Sequence, residues 1–376
     1  MTIKLKKTRK IVYPTNVFDA TLERIRYIFD EFEEVIVSCS SWKDSTIVLE
    51  TALIVAKEKN RLPLKVFFLD QESERSGTID YIRDLRNRED IELIWCQMET
   101  SFTQSTTFSE QYFVCRDETK KDIRIRDKEE WTIQKNIYGD TDFFQIFPNY
   151  LNHHYPDKKV AFLWWVRAEE SPRRYMWLTQ RATYKWVTRG KKFKTNPNHF
   201  TFYPIYDWTY IDVRKAIHDN GRKYNVVYDY QYRYWIRITE MRVSSLIHET
   251  AIKSLFYLPE VDKELYNKLC TRFPGISTFN RLKDDILPKK LPFMFSSRVE
   301  YRDYLLDKLI DEDKGKNVLK KAFALHDKKL KDFPDMMEKV ARKHIASILT
   351  NDTELTKIKS IDAWWLNKFL KEQGSR

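Results

Sequence analysis

Glycine is scarce in this chain, with seven in 376 residues against a usual share of about 7%. Walker-type and dinucleotide phosphate loops each need several glycines within a few residues. Gly77, Gly139, Gly190, Gly221, Gly275, Gly315 and Gly374 stand far apart, so both motifs are absent. Cysteine is also scarce. Cys39, Cys96, Cys115 and Cys270 match no zinc, iron–sulfur or CxxC spacing. The longest apolar run, 160–166, falls far short of the ~20 residues that span a bilayer. Lys4, Lys6, Lys7, Arg9 and Lys10 have no apolar stretch after them. No secretory signal is therefore expected, and the expected compartment is the reducing cytoplasm.

The composition that remains is globular, 42% hydrophobic and 32% charged, with enough length for one large domain or two smaller ones. The net charge of +12 is concentrated. Between Arg167 and Lys194 stand nine Lys/Arg and two acids, interleaved with Tyr175, Trp177, Tyr184, Trp186 and Phe193. Such a stretch is either a solvated basic face or a surface that handles a nucleotide or a nucleic acid.

Short apolar runs alternate with helical patterns in the first two thirds. Residues 35–39, 64–69, 91–96 and 160–166 read as strands, and 44–57, 78–88 and 207–219 as helices. That alternation implies βαβ units and an α/β fold, a parallel sheet flanked by helices. Residues 97–159 read as a polar and aromatic insertion without assigned elements. From about 237 the helical period dominates, broken at Pro259, Pro274, Pro288 and Pro292. The expected division is a nucleotide-binding domain over 1–240 and an all-helical C-terminal region over 241–376.

The most informative segment is Val37-Ser38-Cys39-Ser40-Ser41-Trp42-Lys43-Asp44-Ser45-Thr46. A strand ends, a short polar loop follows and a helix begins, with Asp44 or Ser45 as expected caps. First-turn N–H groups, Lys43 and the hydroxyls of Ser40, Ser45 and Thr46 are then expected to face one anion. The loop resembles the SGGKDS PP-loop of the ATP pyrophosphatase and phosphoadenosine phosphosulfate (PAPS) reductase superfamily. Ser41 and Trp42 stand where that family carries glycine. Phe68-Leu69-Asp70-Gln71-Glu72 ends the second strand where the family has an acid. Arg167-Ala168-Glu169-Glu170-Ser171-Pro172-Arg173-Arg174 resembles its GxRxxES segment, with Trp165 in place of glycine. Tyr203-Pro204-Ile205-Tyr206-Asp207-Trp208 resembles its P-I-x-D-W segment, and the likeness continues at Tyr224-Asn225, Asp229 and Glu240-Met241-Arg242. Phe113 to Asp117 and Lys120 to Arg126 look like one subgroup with a C-terminal domain of unknown function. That subgroup includes a bacterial regulator of immunoglobulin-binding proteins, often encoded beside a ParB/sulfiredoxin-like partner.

The resemblance implies an adenine nucleotide alpha hydrolase-like (HUP) fold and a ligand that is ATP or a PAPS-like sulfonucleotide. It implies catalytic roles for Lys43, Asp44, Arg167 and Glu170. Ser40, Ser41, Trp42, Ser45, Thr46, Asp70, Glu72, Ser171, Arg173 and Arg174 become the expected nucleotide contacts. Within that set Asp44 caps the helix and is a candidate holder of Mg2+, while Asp70 and Glu72 meet ribose or metal. Arg167, Arg173 and Arg174 offer forks to phosphate or sulfate oxygens, with Glu170 orienting Arg167. His153-His154 is set aside, because adjacent residues do not share a helix face. Two departures narrow the activity. PAPS reductases attack with a Cys near the C-terminus, and none follows Cys270, which itself sits in an apolar pattern that implies burial. The missing loop glycines leave two alternatives: a reshaped but working PP-loop in a hydrolase or transferase, or a catalytically degenerate regulatory or defence component. The latter would bind a protein partner, such as the ParB/sulfiredoxin-like one, or nucleic acid through 167–194.

Overall fold

In the computed structural model, the apolar β-branched and aromatic runs expected as strands form buried strands of a sheet. The structure describes residues 14–104, 112–139, 141–180, 183–184, 187–219, 224–233, 241, 243, 245–248, 255, 258–273, 275–276, 291, 294–310 and 313–349. The basic segment Lys4 to Lys10, Arg181, Lys185, Trp186, Glu240, Arg242, Pro274, Pro288 and Pro292 lie outside the described residues.

The elements in chain order are α1 Val17–Glu31, β1 Glu34–Ser38, α2 Lys43–Glu58, β2 Leu64–Leu69, α3 Ser76–Arg86 and β3 Ile91–Cys96. Then come β4 Thr100–Thr103, β5 Tyr112–Cys115, α4 Phe143–His154, β6 Val160–Leu163, α5 Pro172–Gln180, β7 Thr183–Tyr184, β8 Thr188–Lys192 and β9 His199–Phe202. The helices α6 Tyr210–Asp219, α7 Val227–Arg233, α8 Leu258–Val261, α9 Lys263–Arg272, α10 Arg298–Leu309, α11 Asp313–Lys329 and α12 Pro334–Leu349 complete the described chain. Seven strands form one sheet in the order β3-β2-β1-β6-β9-β8-β7. β1 pairs in parallel with β2 (Ile36 with Lys65) and with β6 (Glu34 with Val160), and β6 pairs in parallel with β9. The expected sheet is therefore present, but β8 and β7 add an antiparallel edge. That edge, β9 and α1 were not among the expected elements. The insertion, left without elements by its sequence, folds as the antiparallel hairpin β4–β5 and the helix α4.

The chain divides into two compact units that interleave along the sequence. The first comprises Met1–Phe67, Arg86–Leu93 and Leu151–Tyr224. In it, α2 is buried nearly all round, from Asp44 to Ala56, because it packs against β1, α1 and α6. Phe67 and Phe162 meet edge to face at 5.9 Å on β2 and β6. Trp208 donates from Nε1 to Thr21 Oγ1 at 2.8 Å, and Asp207 takes a two-pronged ion pair from Arg24 at 2.8 and 2.6 Å. The Pro204 to Trp208 segment is thereby fastened to α1.

The second unit comprises Phe68–Leu85, Ile94–Tyr150 and Asn225–Arg376. One of its cores joins Phe113, Cys115 and Ile125 to Leu265, Leu269 and Phe273. Cys270 packs on that core but is only half-buried, a correction to the burial expected of it. A further core holds Leu306, Phe323, Ile345 and Ile348 of α10, α11 and α12. Among the described residues after 237 there are helices and no strand.

Gly190 on β8 lies opposite Phe202 on β9, and a Cβ placed there would come within 2.5 Å of the Phe202 ring. Gly190→Ala is expected to lower stability by about 1–3 kcal/mol through overpacking, read as a lower denaturation midpoint at unchanged m-value.

Candidate functional site

The sheet sets the place. From β1 the chain winds outward through β2 to β3, while β6 and β9 lie on the other side of β1. The β1–β6 junction is thus a topological switch point, where open α/β sheets form a crevice at the carboxyl ends of the strands. The loop after β1 (39–42) and the loop after β6 (164–167) both emerge there, within the first unit.

The first loop turns at Ser41, which has a φ of 58° and is fully buried. Serine here adopts the left-handed conformation that glycine enters freely, at a cost of about 1–2 kcal/mol. Trp42 is the N-cap of α2 and supplies no side-chain acceptor. The expectation that Asp44 or Ser45 caps the helix is corrected, because both lie inside the first turn. The hydroxyls of Ser45 and Thr46 donate back to the Trp42 carbonyl at 2.8 and 3.1 Å, closing the turn from within. Ser40 donates its N–H to Ser45 Oγ at 3.4 Å, while its own buried Oγ has no hydrogen-bond partner. Lys43 stands at the start of the helix, its Nζ 3.7 Å from Asp44 Oδ2.

The second loop closes on the first. Arg167, 4% exposed, donates from Nε to Asp44 Oδ1 at 2.5 Å. Its Nη1 reaches Glu169 Oε2 and the Trp208 carbonyl, each at 3.4 Å. Glu170 Oε2 accepts from the Arg167 N–H at 3.3 Å and from Arg174 Nη1. Ser171 Oγ accepts from the Arg174 N–H at 3.1 Å, starting α5, and Arg173 is exposed. Trp42 and Trp165, which stand at two of the family's glycine positions, face each other at 6.4 Å, and Trp164 stacks on Trp165 at 5.3 Å. The first unit thus brings Ser40, Lys43, Asp44, Arg167 and Glu170 together around one switch point. Both Asp44 oxygens face cations, so direct Mg2+ ligation by Asp44 requires displacing Arg167. Among the described residues no group of three or more His, Cys, Asp or Glu is placed to hold a metal ion.

Asp70 and Glu72 belong to the second unit, where arginines surround them. Asp70 Oδ2 accepts from Arg116 Nη2 at 2.8 Å, Gln97 Nε2 at 2.9 Å and Trp95 Nε1 at 3.2 Å. Its Oδ1 accepts from the Glu72 N–H at 2.7 Å. Burial pushes the Asp70 carboxyl up, but the charges of Arg116 and Arg126 together with these hydrogen bonds hold it at about 2. Glu72 accepts from the Arg116 N–H at 2.6 Å and from Arg272 Nε at 3.3 Å. Glu74 was not among the expected site residues; burial and the charge of Asp70 push its carboxyl up to about 8. Arg116 and Arg126 were visible in the sequence as part of a family-like segment, yet no spacing rule ties them to carboxylates some 45–55 positions earlier in the chain.

These features define a class, the PP-loop α/β proteins of PAPS-reductase type. Residues 34–234 match the phosphoadenosine phosphosulfate reductase domain, and the chain belongs to that family. The chain is 22% identical over 286 residues to the uncharacterized protein YbdN of Escherichia coli strain K12, covering 72% of this chain and 68% of that one. Among solved structures, Candida glabrata FMN adenylyltransferase is 12% identical with a TM-score of 0.36, over 59% of this chain and 63% of its own. The chain therefore spans less than two thirds of that enzyme. PAPS reductase from Candida auris in its phosphate complex is 10% identical with a TM-score of 0.33, over 59% of this chain and 93% of its own.

Removing one member of a buried ion pair strands the other, at a cost of about 3–5 kcal/mol. Asp44→Ala and Arg167→Ala are each expected to destabilise the first unit by that order. The double variant should cost clearly less than the sum, as measured by urea unfolding in a double-mutant cycle.

Proposed function

We propose that the chain binds an adenine nucleotide, ATP or a PAPS-like sulfonucleotide, and acts on its phosphate chain as a hydrolase or transferase. The observation that carries this reading is the start of α2. A buried helix begins at the switch point with no side-chain cap, and the buried Ser40 hydroxyl beside it has no partner. Uncapped first-turn N–H groups and the helix dipole favour an anion, and Ser40 and Lys43 are the side chains that would hold it. Lys43 contributes a point charge to the phosphates. Arg167 acts as a positioning residue, fixing Asp44 and the loop that carries Glu170, Ser171 and Arg174. Exposed Arg173 is the guanidinium left to meet a phosphate or sulfate oxygen. Attack by water or an acceptor at the α-phosphorus, with pyrophosphate leaving from ATP or sulfate from a sulfonucleotide, needs little more than positioning and neutralisation of developing charge. Cys-dependent sulfonucleotide reduction is not part of this reading. Burial pushes the thiols of Cys39 and Cys115 up to about 11 and about 12, away from the thiolate that such chemistry needs.

Calorimetric titration with ATP, adenylyl sulfate and PAPS, followed by product analysis, tests the reading. At least one ligand should bind and be cleaved, with pyrophosphate released from ATP or sulfate from the sulfonucleotide. Lys43→Ala or Ser40→Ala should weaken it about tenfold or more. Absence of binding by all three ligands overturns it. Binding without turnover selects instead the degenerate regulatory component, a reading favoured by the mutual closure of Asp44 and Arg167.

A nucleic-acid partner is a second reading, favoured by the exposure of Lys191, Lys192 and Lys194 at the β8 edge. It expects DNA or RNA affinity that falls steeply with salt. Charge reversal at these three lysines should flatten that slope, and an unchanged slope would sink the idea.

A further inference from the structure

The two loops that meet at the β1–β6 switch point carry three indoles, all within the first unit. Trp164 is the anchored one. Its N–H donates to the Phe202 carbonyl at 2.8 Å, and its ring leans on Phe162 of β6 at 6.0 Å. Trp165 stacks on Trp164, with centroids 5.3 Å apart and ring planes 14° from parallel. One face of Trp165 is thereby backed. Trp42 meets Trp165 at 6.4 Å and an angle of 50°. Among the described rings Trp42 makes no contact with Trp164, so it approaches from the side that Trp164 leaves open. Trp42 and Trp165 are both half-buried. The Trp42 backbone is fixed, because its carbonyl accepts from the Thr46 N–H at 2.9 Å and from the Ser45 and Thr46 hydroxyls. Only its side-chain torsions are left to change the wedge between the two rings.

A flat ring held between two others needs about 7 Å, twice the ~3.5 Å contact distance of ring carbons. The wedge falls short of that by well under an ångström, and rotation of Trp42 brings the rings parallel. Stacking on an indole asks of a base only that it present a π-face. The wedge also lies beside the anion-favouring turn, since Trp42 is the N-cap of α2. In a nucleotide, one sugar separates the base from its first phosphate. We infer that Trp42 and Trp165 are the base clamp of the nucleotide site. The base enters between the two rings, stacks on the backed face of Trp165, and is covered by Trp42. The inference rests on the adenine-nucleotide reading above and adds to it the residues that hold the base.

AMP is the moiety that ATP, adenylyl sulfate and PAPS share, and ribose 5-phosphate is the same moiety without the base. Calorimetric titration of the full chain at pH 7 should show AMP binding about 5- to 150-fold tighter than ribose 5-phosphate, the range that stacking of one base supplies. Trp165→Leu, apolar but without a ring, should bring that ratio close to one. Trp165→Phe should keep most of it, which separates stacking from the filling of space. Trp42→Leu should lower it in the same direction. Folding of each variant is checked by circular dichroism, and the wild-type comparison needs no variant. The proposal is overturned if wild type binds AMP no tighter than ribose 5-phosphate, or if folded Trp165→Leu keeps the wild-type ratio. It is also overturned if Trp165→Leu binds AMP more tightly, since the rings would then obstruct the crevice. In each of these cases binding of ATP, adenylyl sulfate or PAPS through the phosphates leaves the reading above standing. If none of those three binds, both fall.

Discussion

One buried ion pair holds the candidate site together. Asp44, in the first turn of α2, and Arg167, at the end of the loop after β6, meet at 2.5 Å where both are almost wholly shielded from water. The two loops leave neighbouring parallel strands, and nothing in strand pairing fixes where they go next. The pair does so, and the groups around Arg167 extend its hold to the Trp208 carbonyl, Glu169 and Glu170. A buried pair of this kind adds little net stability over apolar packing, but it penalises every arrangement that leaves one partner alone. Its effect is therefore on specificity of geometry: the pair ties the loop after β1 to the loop after β6, while the contacts of the Pro204 to Trp208 segment with α1 and of Ser171 with Arg174 place the neighbouring segments.

The missing glycines are met in two ways. At Ser41 the backbone keeps the left-handed turn that a glycine would adopt, and the strain is accepted. At Trp42 and Trp165 bulk replaces openness, and the two rings pack on each other with Trp164 behind. Two glycine positions that lie more than a hundred residues apart have thus been filled by side chains that are partners.

Much of the fold was legible in the sequence. The runs at β1, β2, β3 and β6 are continuous and apolar because both faces of a parallel sheet are covered, and their periodicity reports that directly. The antiparallel edge was not legible, because β8 is basic and β9 mixes polar with aromatic residues, a pattern equally suited to a loop. The insertion was opaque for a similar reason. Its hairpin packs against residues distant in sequence, such as Phe113 against Phe273. At the site, motif order singled out Ser40, Lys43, Asp44, Arg167 and Glu170 as candidates. It did not find that Asp44 and Arg167 are partners, that Trp42 rather than Asp44 begins the helix, or that Glu74 lies among arginines.

The sequence by itself determined the class of protein: a parallel α/β sheet, a PP-loop-like turn after its first strand, and a chain without Walker, dinucleotide or zinc motifs. These follow from local pattern, because strand, turn and helix start are each written within a few neighbouring residues. Only the tertiary structure decided which charges meet. Whether Asp44 is free for a ligand or held by Arg167 depends on residues 123 positions apart, and Asp70 and Arg116 on a separation of 46. No periodicity encodes such pairings, since they are set by which loops the sheet order brings side by side.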